Sequence, residues 1–128
     1  MNTPTSKNRI YFKSSPMKYY LRILAVAYLI GFLFHLEDIF DLRLKFSEMS
    51  SVWQAWTIYL CLFDFLAAVF LWFRHPAGVF LFFFIASSQL IAYLGFQSVF
   101  GTQTELVVFH FATLVIYFII HFKWSQNE

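Results

Sequence analysis

The sequence predicts an all-α integral membrane protein: a four-helix bundle running up-down-up-down, with both termini cytoplasmic. Three observations carry that reading. Of 128 residues, 60% are hydrophobic and 12% charged, with 19 Phe, 7 Tyr and 4 Trp and a mean hydropathy of +0.65; soluble domains average about 45–50% apolar and about 25% charged residues. Four stretches, 17–40, 52–73, 77–96 and 104–122, reach the length of about 20 helical residues that a hydrocarbon core of about 30 Å demands. Finally, the basic residues divide unevenly. With the termini inside, Lys7, Arg9, Lys13, Lys18, Arg22, Arg74 and Lys123 fall on the cytoplasmic side and only Arg43 and Lys45 outside, the bias expected of bacterial inner-membrane proteins.

Residues 1–16 read as a flexible basic arm suited to anionic headgroups. The spans, residues 17–124, form the membrane domain, and 125–128 are a short tail. Ser15 followed by Pro16 places a proline in the first helical turn, where its missing N–H costs nothing. The arm and the run LRILAVAYLIGFLF resemble a signal peptide, but no small-residue cleavage site precedes HLEDIFD, so the expectation is a retained anchor. The loop DLRLKFSEMSS alternates polar and apolar residues, as a connector or a segment lying along headgroups would.

Ser51-x-x-Gln54 fits a capping box at the start of the second span, and Thr102-x-x-Glu105 fits one before the fourth. Pro76 repeats the first-turn proline in the third. The connection Arg74-His75-Pro76 is so short that the second and third spans must fold back on each other as a hairpin. Trp53 and Trp56 at one boundary, and Arg22, His121, Lys123 and Trp124 at the other, have the composition of interfacial anchors.

Composition also excludes functions. Cys61 is the only cysteine, which rules out an intramolecular disulfide, a CxxC redox pair and a Cys-rich zinc site. No basic stripe interleaved with stacking aromatics exists, so nucleic acid is not an expected partner. GxSxG, a Gly-rich phosphate loop and a P-loop lysine are missing, and four glycines leave little from which to build a dinucleotide site. No catalytic residue is assigned, and the expectation is a protein that is not an enzyme.

One residue stands against the hydropathy. The second span holds eleven Leu, Ile, Val or Phe residues between 52 and 73, each favouring insertion by roughly 0.3–0.6 kcal/mol, against roughly 2.5–3.5 kcal/mol for a central aspartate. Asp64 is therefore affordable but costly, and an intramembrane ionisable group is expected to face protein or water. Helical spacing gives each span one small or polar seam: Ala27, Gly31, His35 and Asp38; Thr57, Cys61, Asp64 and Ala68; Ser88, Ala92 and Gly95 with Ser87 and Gln89 beside them; His110, Thr113, Tyr117 and His121. These seams are expected to converge on the bundle axis, where small residues allow close approach and polar ones bond across helices.

At about 1.5 Å per residue, Asp64 lies about 13 Å from the inner end of its span, and Ser87, Gln89 and His110 about 15–18 Å from theirs. Asp64, Gln89, Ser88, His110 and His35 are thus the candidate intramembrane polar cluster, with Glu37, Asp38 and Glu105 as acidic residues at the outer face. Asp64 is either a proton or cation relay or a neutral acid hydrogen-bonded to Gln89, Ser88 or a neighbouring subunit. His35 and His110 suit haem or metal chemically. No HxxxH or HExxH spacing exists within a span, however, so no metal site or bound cofactor is predicted, with haem and quinone the cofactors to look for.

The order of features resembles the DoxX-like small four-helix membrane proteins. The first span ends in GFLFHLEDIFD, the second carries DFLAA, a basic turn RHPAG follows, and the fourth runs from TELVVFH to HFKW, together covering residues 19–124. That resemblance implies a cytoplasmic-membrane protein, in some members associated with quinone- or thiol-linked redox partners; a lone cysteine does not fit the thiol role. The resulting expectation is a non-enzymatic accessory or assembly component in the bilayer, as a homo-oligomer or within a larger membrane complex. The alternatives are a small oligomeric transporter or channel working through the cluster around Asp64, and an interfacial enzyme built on His35, Glu37 and Asp38.

Overall fold

The computed structural model describes residues 15–43 and 45–125. Lys7, Arg9 and Lys13 of the basic arm, Leu44 of the first loop and the tail residues 126–128 lie outside the described residues. The elements in order are α1 (Ser15–Ile39), a 3-10 turn (Phe46–Glu48), α2 (Ser51–Trp72), α3 (Pro76–Gly95), a short α4 (Gln97–Phe100) and α5 (Thr104–Ser125); the described residues contain no strand. Four segments, Pro16–Ile39, Ser51–Trp72, Pro76–Gly95 and Thr104–Lys123, are long and apolar enough to cross a membrane, the mark of an integral membrane protein.

The helix ends follow from local chemistry. Asp41 and Arg74 both adopt left-handed backbone, with φ of 59° and 57°. Each lets two orphan carbonyls be satisfied in a Schellman pattern. After α1, Leu42 N–H reaches Glu37 O at 2.8 Å and Asp41 N–H reaches Asp38 O at 3.0 Å; after α2, His75 N–H reaches Phe70 O and Arg74 N–H reaches Leu71 O, both at 2.9 Å.

Pro76 opens α3 as expected, and the cap is His75, whose Nδ1 accepts from Ala77 N–H at 3.0 Å. The expected Ser51 box is displaced by one residue. Ser50 Oγ accepts from Trp53 N–H at 3.3 Å, while Gln54 Nε2 donates to the Phe46 carbonyl at 3.0 Å. At α5 the first turn closes from Val107 N–H to Gln103 O at 3.0 Å, which puts the start one residue later than a Thr102 cap would.

The long helices close into a ring: α1 packs on α2, α2 on α3, α3 on α5 and α5 back on α1. Only three residues, Phe73 to His75, separate α2 from α3, so this pair is a tight hairpin. Gly78 makes it possible. A Cβ there would stand 2.6 Å from Leu71 N and 2.7 Å from the Phe70 carbonyl carbon.

The core is filled by large side chains as much as by small ones. Met17, Leu21, Leu24 and Tyr28 of α1, Leu60 and Leu71 of α2, and Phe82 and Ile85 of α3 are buried, with Tyr117 of α5 against the Phe82 ring at 5.9 Å. The expected seam of α2 is fully buried, Thr57, Cys61, Asp64 and Ala68 alike. On α1 the buried line runs 17, 21, 24, 28 toward Gly31, His35 and Asp38, so Ala27 is displaced by Tyr28 and is only half-buried. On α3 the buried line is Val79, Phe82, Ala86, Gln89 and Tyr93; Ser87 and Gly95 are exposed and Ser88 is half-buried. Phe82 and Ile85 are fully buried on α3, which packs against both α2 and α5. On α5, His110, Thr113 and Tyr117 are buried as expected, and His121 is half-buried, its ring stacked on that of Tyr117 at 6.1 Å.

Candidate functional site

The centre of interest is the crossing of α1 and α2, and a missing side chain creates it. Gly31 leaves a notch on α1 into which Asp64 of α2 projects: a Cβ at position 31 would lie 2.8 Å from Asp64 Oδ2. One turn further along α1, His35 turns the same way and places Nε2 at 3.6 Å from that oxygen. This separation exceeds the usual 2.7–3.2 Å for an N–H···O hydrogen bond, so the contact is an electrostatic pairing. The Asp64 side chain keeps only 6% of its surface exposed and that of His35 22%.

The second carboxyl oxygen, Asp64 Oδ1, is buried without a hydrogen-bond partner among the described residues, as are the Tyr28 hydroxyl and the Nδ1 atoms of His35 and His110. Such groups each cost roughly 1–3 kcal/mol when nothing replaces their water. Chemically, the pair can share one proton: carboxylic acid beside neutral imidazole, or carboxylate beside imidazolium.

The expected five-residue cluster is therefore only partly assembled. Asp64 and His35 meet. Among the described residues, no hydrogen bond or ion pair joins Gln89, Ser88 or His110 to Asp64. Ser88 Oγ instead donates to the Ile85 carbonyl at 2.8 Å and lies 2.6 Å from the Tyr59 hydroxyl, which must then be the donor in that contact. Gln89 and His110 are buried, at 5% and 3% exposure. The reason is geometric: α5 packs mainly on α3 and α1, whereas Asp64 lies on α2.

The outer-face acids separate in the same way. Asp38 is buried and receives Arg43 Nη2 at 2.9 Å, whereas Glu37 and Glu105 are exposed. His35 and Asp38 share one face of α1 and lie close enough for their charges to interact, whereas Glu37 is exposed, so the three residues are only partly brought together. Among the described residues no group of three or more His, Cys, Asp or Glu side chains is placed to hold a metal ion.

Apart from Tyr117, the inward tyrosines were missed by the search for small and polar seams. Tyr20 donates to the Thr113 carbonyl and so ties α1 to α5. Tyr93 accepts from Trp56 Nε1 at 2.9 Å, which draws Trp56 into the protein rather than leaving it as an interfacial anchor. Short α4 then folds Phe100 beneath Trp53, Trp56 and Tyr93, with centroids 5.2, 5.0 and 5.9 Å apart. A signal for them did exist: a phenol within a span has to find a hydrogen-bond partner there, which biases it inward.

Residues 16–128 match the model of one protein family, described as a family of unknown function (DUF6163). No curated protein and no solved structure matches the chain.

Proposed function

We propose, for a chain that belongs to the family of unknown function DUF6163, that it is a non-enzymatic accessory or assembly component of the bacterial cytoplasmic membrane. It spans up-down-up-down with both termini cytoplasmic, and it works as a homo-oligomer or within a larger, redox-associated complex of the kind its DoxX-like layout implies. The observation that carries this reading is the open side of the bundle. Helix α5 is held along the stripe His110, Thr113 and Tyr117, while Val108, Phe111, Val115, Ile119 and Phe122 form an outward ridge, each at least 40% exposed. Only 17% of its spanning window is buried, against 44% for α3. A helix anchored so lightly is suited to a second polypeptide on its outer face.

The test places a photoreactive side chain at position 111 and, as a control, at position 23 on α1, where the native residues are 63% and 64% exposed. After irradiation in native membranes, a discrete protein adduct is expected from position 111 and none from position 23. Adducts to lipid alone from both positions would overturn the assembly reading.

A second reading has its own support in the buried Asp64–His35 pair with its unmatched oxygen. In that reading an oligomer moves protons or a small proton-coupled solute past Asp64. Asp64→Asn keeps the shape of the side chain and removes the exchangeable charge. PH-driven flux in proteoliposomes should then fall by at least about tenfold, the loss typical of removing a proton-transferring group. Parent protein that shows no flux, or a variant that retains it, rejects transport.

A further inference from the structure

We propose that the cleft between α1 and α2 is a binding site for an anionic phospholipid, with an acyl chain along the cleft and the phosphate on Arg22 above the Trp72 ring. The cleft has a volume of about 440 Å³ and is lined by Ala25 and Leu29 of α1, Phe65, Ala68 and Val69 of α2, and Trp72 at its end. Alanines on both helices make it: where neighbouring positions carry bulk, Ala25 and Ala68 leave a trough. From Phe65 to Trp72 it runs about 10 Å along α2, at about 1.5 Å per residue. Apart from the Trp72 indole at its end, only apolar side chains line it, so its occupant there is a hydrocarbon.

What selects the headgroup stands at the Trp72 end. Arg22 is one turn before Ala25 and Val26 on the same face of α1, and its guanidinium carbon lies 4.6 Å from the centre of the Trp72 ring. Its Nε is buried and has no hydrogen-bond acceptor among the described residues, and the same holds for Arg74 Nε in the adjoining turn. Lys18, half-buried, is one turn back along α1.

The opposite end of the bundle shows what complete pairing looks like. There Arg43 meets Asp38 at 2.9 Å and Lys45 meets Glu48 at 4.0 Å. Among the described residues, Glu37, Asp38, Asp41, Glu48 and Glu105 all belong to that opposite end, and the helix turns around Arg22 and Arg74 contain no carboxylate. An arginine that meets no carboxylate among the described residues, stacked on an indole at the mouth of an apolar trough, matches a phosphate carrying acyl chains. A zwitterionic lipid brings its own cation to the same place and is disfavoured.

Native mass spectrometry of the delipidated protein in neutral detergent tests this, with phosphatidylglycerol and phosphatidylcholine of identical chains as probes. The parent should bind one phosphatidylglycerol about tenfold more tightly than phosphatidylcholine, a modest preference of the size one charge-assisted contact supplies. Arg22→Gln should abolish the preference and Arg43→Gln should leave it intact. Val69→Trp, which fills the trough from a position 37% exposed, should remove the tight site while Arg22 is still present. Equal affinity for the two lipids, a preference that survives Arg22→Gln, or competition by inorganic phosphate alone would each overturn the proposal.

Discussion

Gly78→Ala is expected to cost about 3 kcal/mol of stability, at the upper end of what inserting a methyl group into a packed site does. The added Cβ would stand 2.6 Å from Leu71 N and 2.7 Å from the Phe70 carbonyl carbon, and both are backbone atoms held in the turn that ends α2. No rotamer change can relieve that contact. The hairpin has to open, and opening strains the hydrogen bonds from His75 N–H to Phe70 O and from Arg74 N–H to Leu71 O. Alanine's better helix propensity returns at most about 1 kcal/mol of this, leaving a net loss of about 2 kcal/mol. Equilibrium unfolding in mixed micelles should show the loss, with Gly95→Ala as the control, since a Cβ at 95 meets nothing within 4 Å. Equal stability of the two variants would refute the close approach of α2 and α3.

The second large effect is predicted at Gly31, and it has a diagnostic partner. Gly31→Ala puts a methyl group 2.8 Å from Asp64 Oδ2, so the carboxyl must turn away from His35. A net cost of about 1 kcal/mol or less is expected after the helix-propensity gain of alanine is counted. In an Asp64→Ala background the obstructing oxygen is gone, and the same Gly31→Ala change should become neutral or stabilising. The double-mutant cycle should therefore give a coupling of about 1 kcal/mol or more, as for residues in direct contact. Additive effects would mean that the notch and the carboxyl do not meet.

Much of the fold was legible in the residues because lipid imposes a simple demand. Backbone polar groups in hydrocarbon must pair within their own segment, so four apolar runs of sufficient length dictate four helices. The starts at Pro16 and Pro76 followed from the missing N–H of proline, and the α2–α3 hairpin from a connection too short for anything else. Asp64 was identified by its cost alone. Its burial beside Thr57, Cys61 and Ala68 on one face of α2 came out as spacing required.

Which groups meet Asp64 was not written in spacing. Depth counted along a helix places residues in a layer but does not say which helices are neighbours, and α5 proved to pack against α3 and α1. Hence His110 is buried without a hydrogen bond or ion pair to Asp64 among the described residues, and Ser88 is taken by Tyr59 and its own helix. The inward tyrosines other than Tyr117 escaped notice because their aromatic bodies look like lipid-facing surface in a one-dimensional reading, whereas the hydroxyl of each is a reason to turn inward.

By itself, then, the amino-acid order determined the helices, their approximate limits and the presence of one expensive carboxyl, since these depend on hydrophobicity and on backbone chemistry that acts locally. Only the tertiary structure decided that Gly31 makes room for Asp64, that His35 is its neighbour, and that Arg22 stands over Trp72. Those pairings depend on the rotation and crossing of whole helices, and these are set by how large side chains such as Tyr28 and Phe82 fill the space between them.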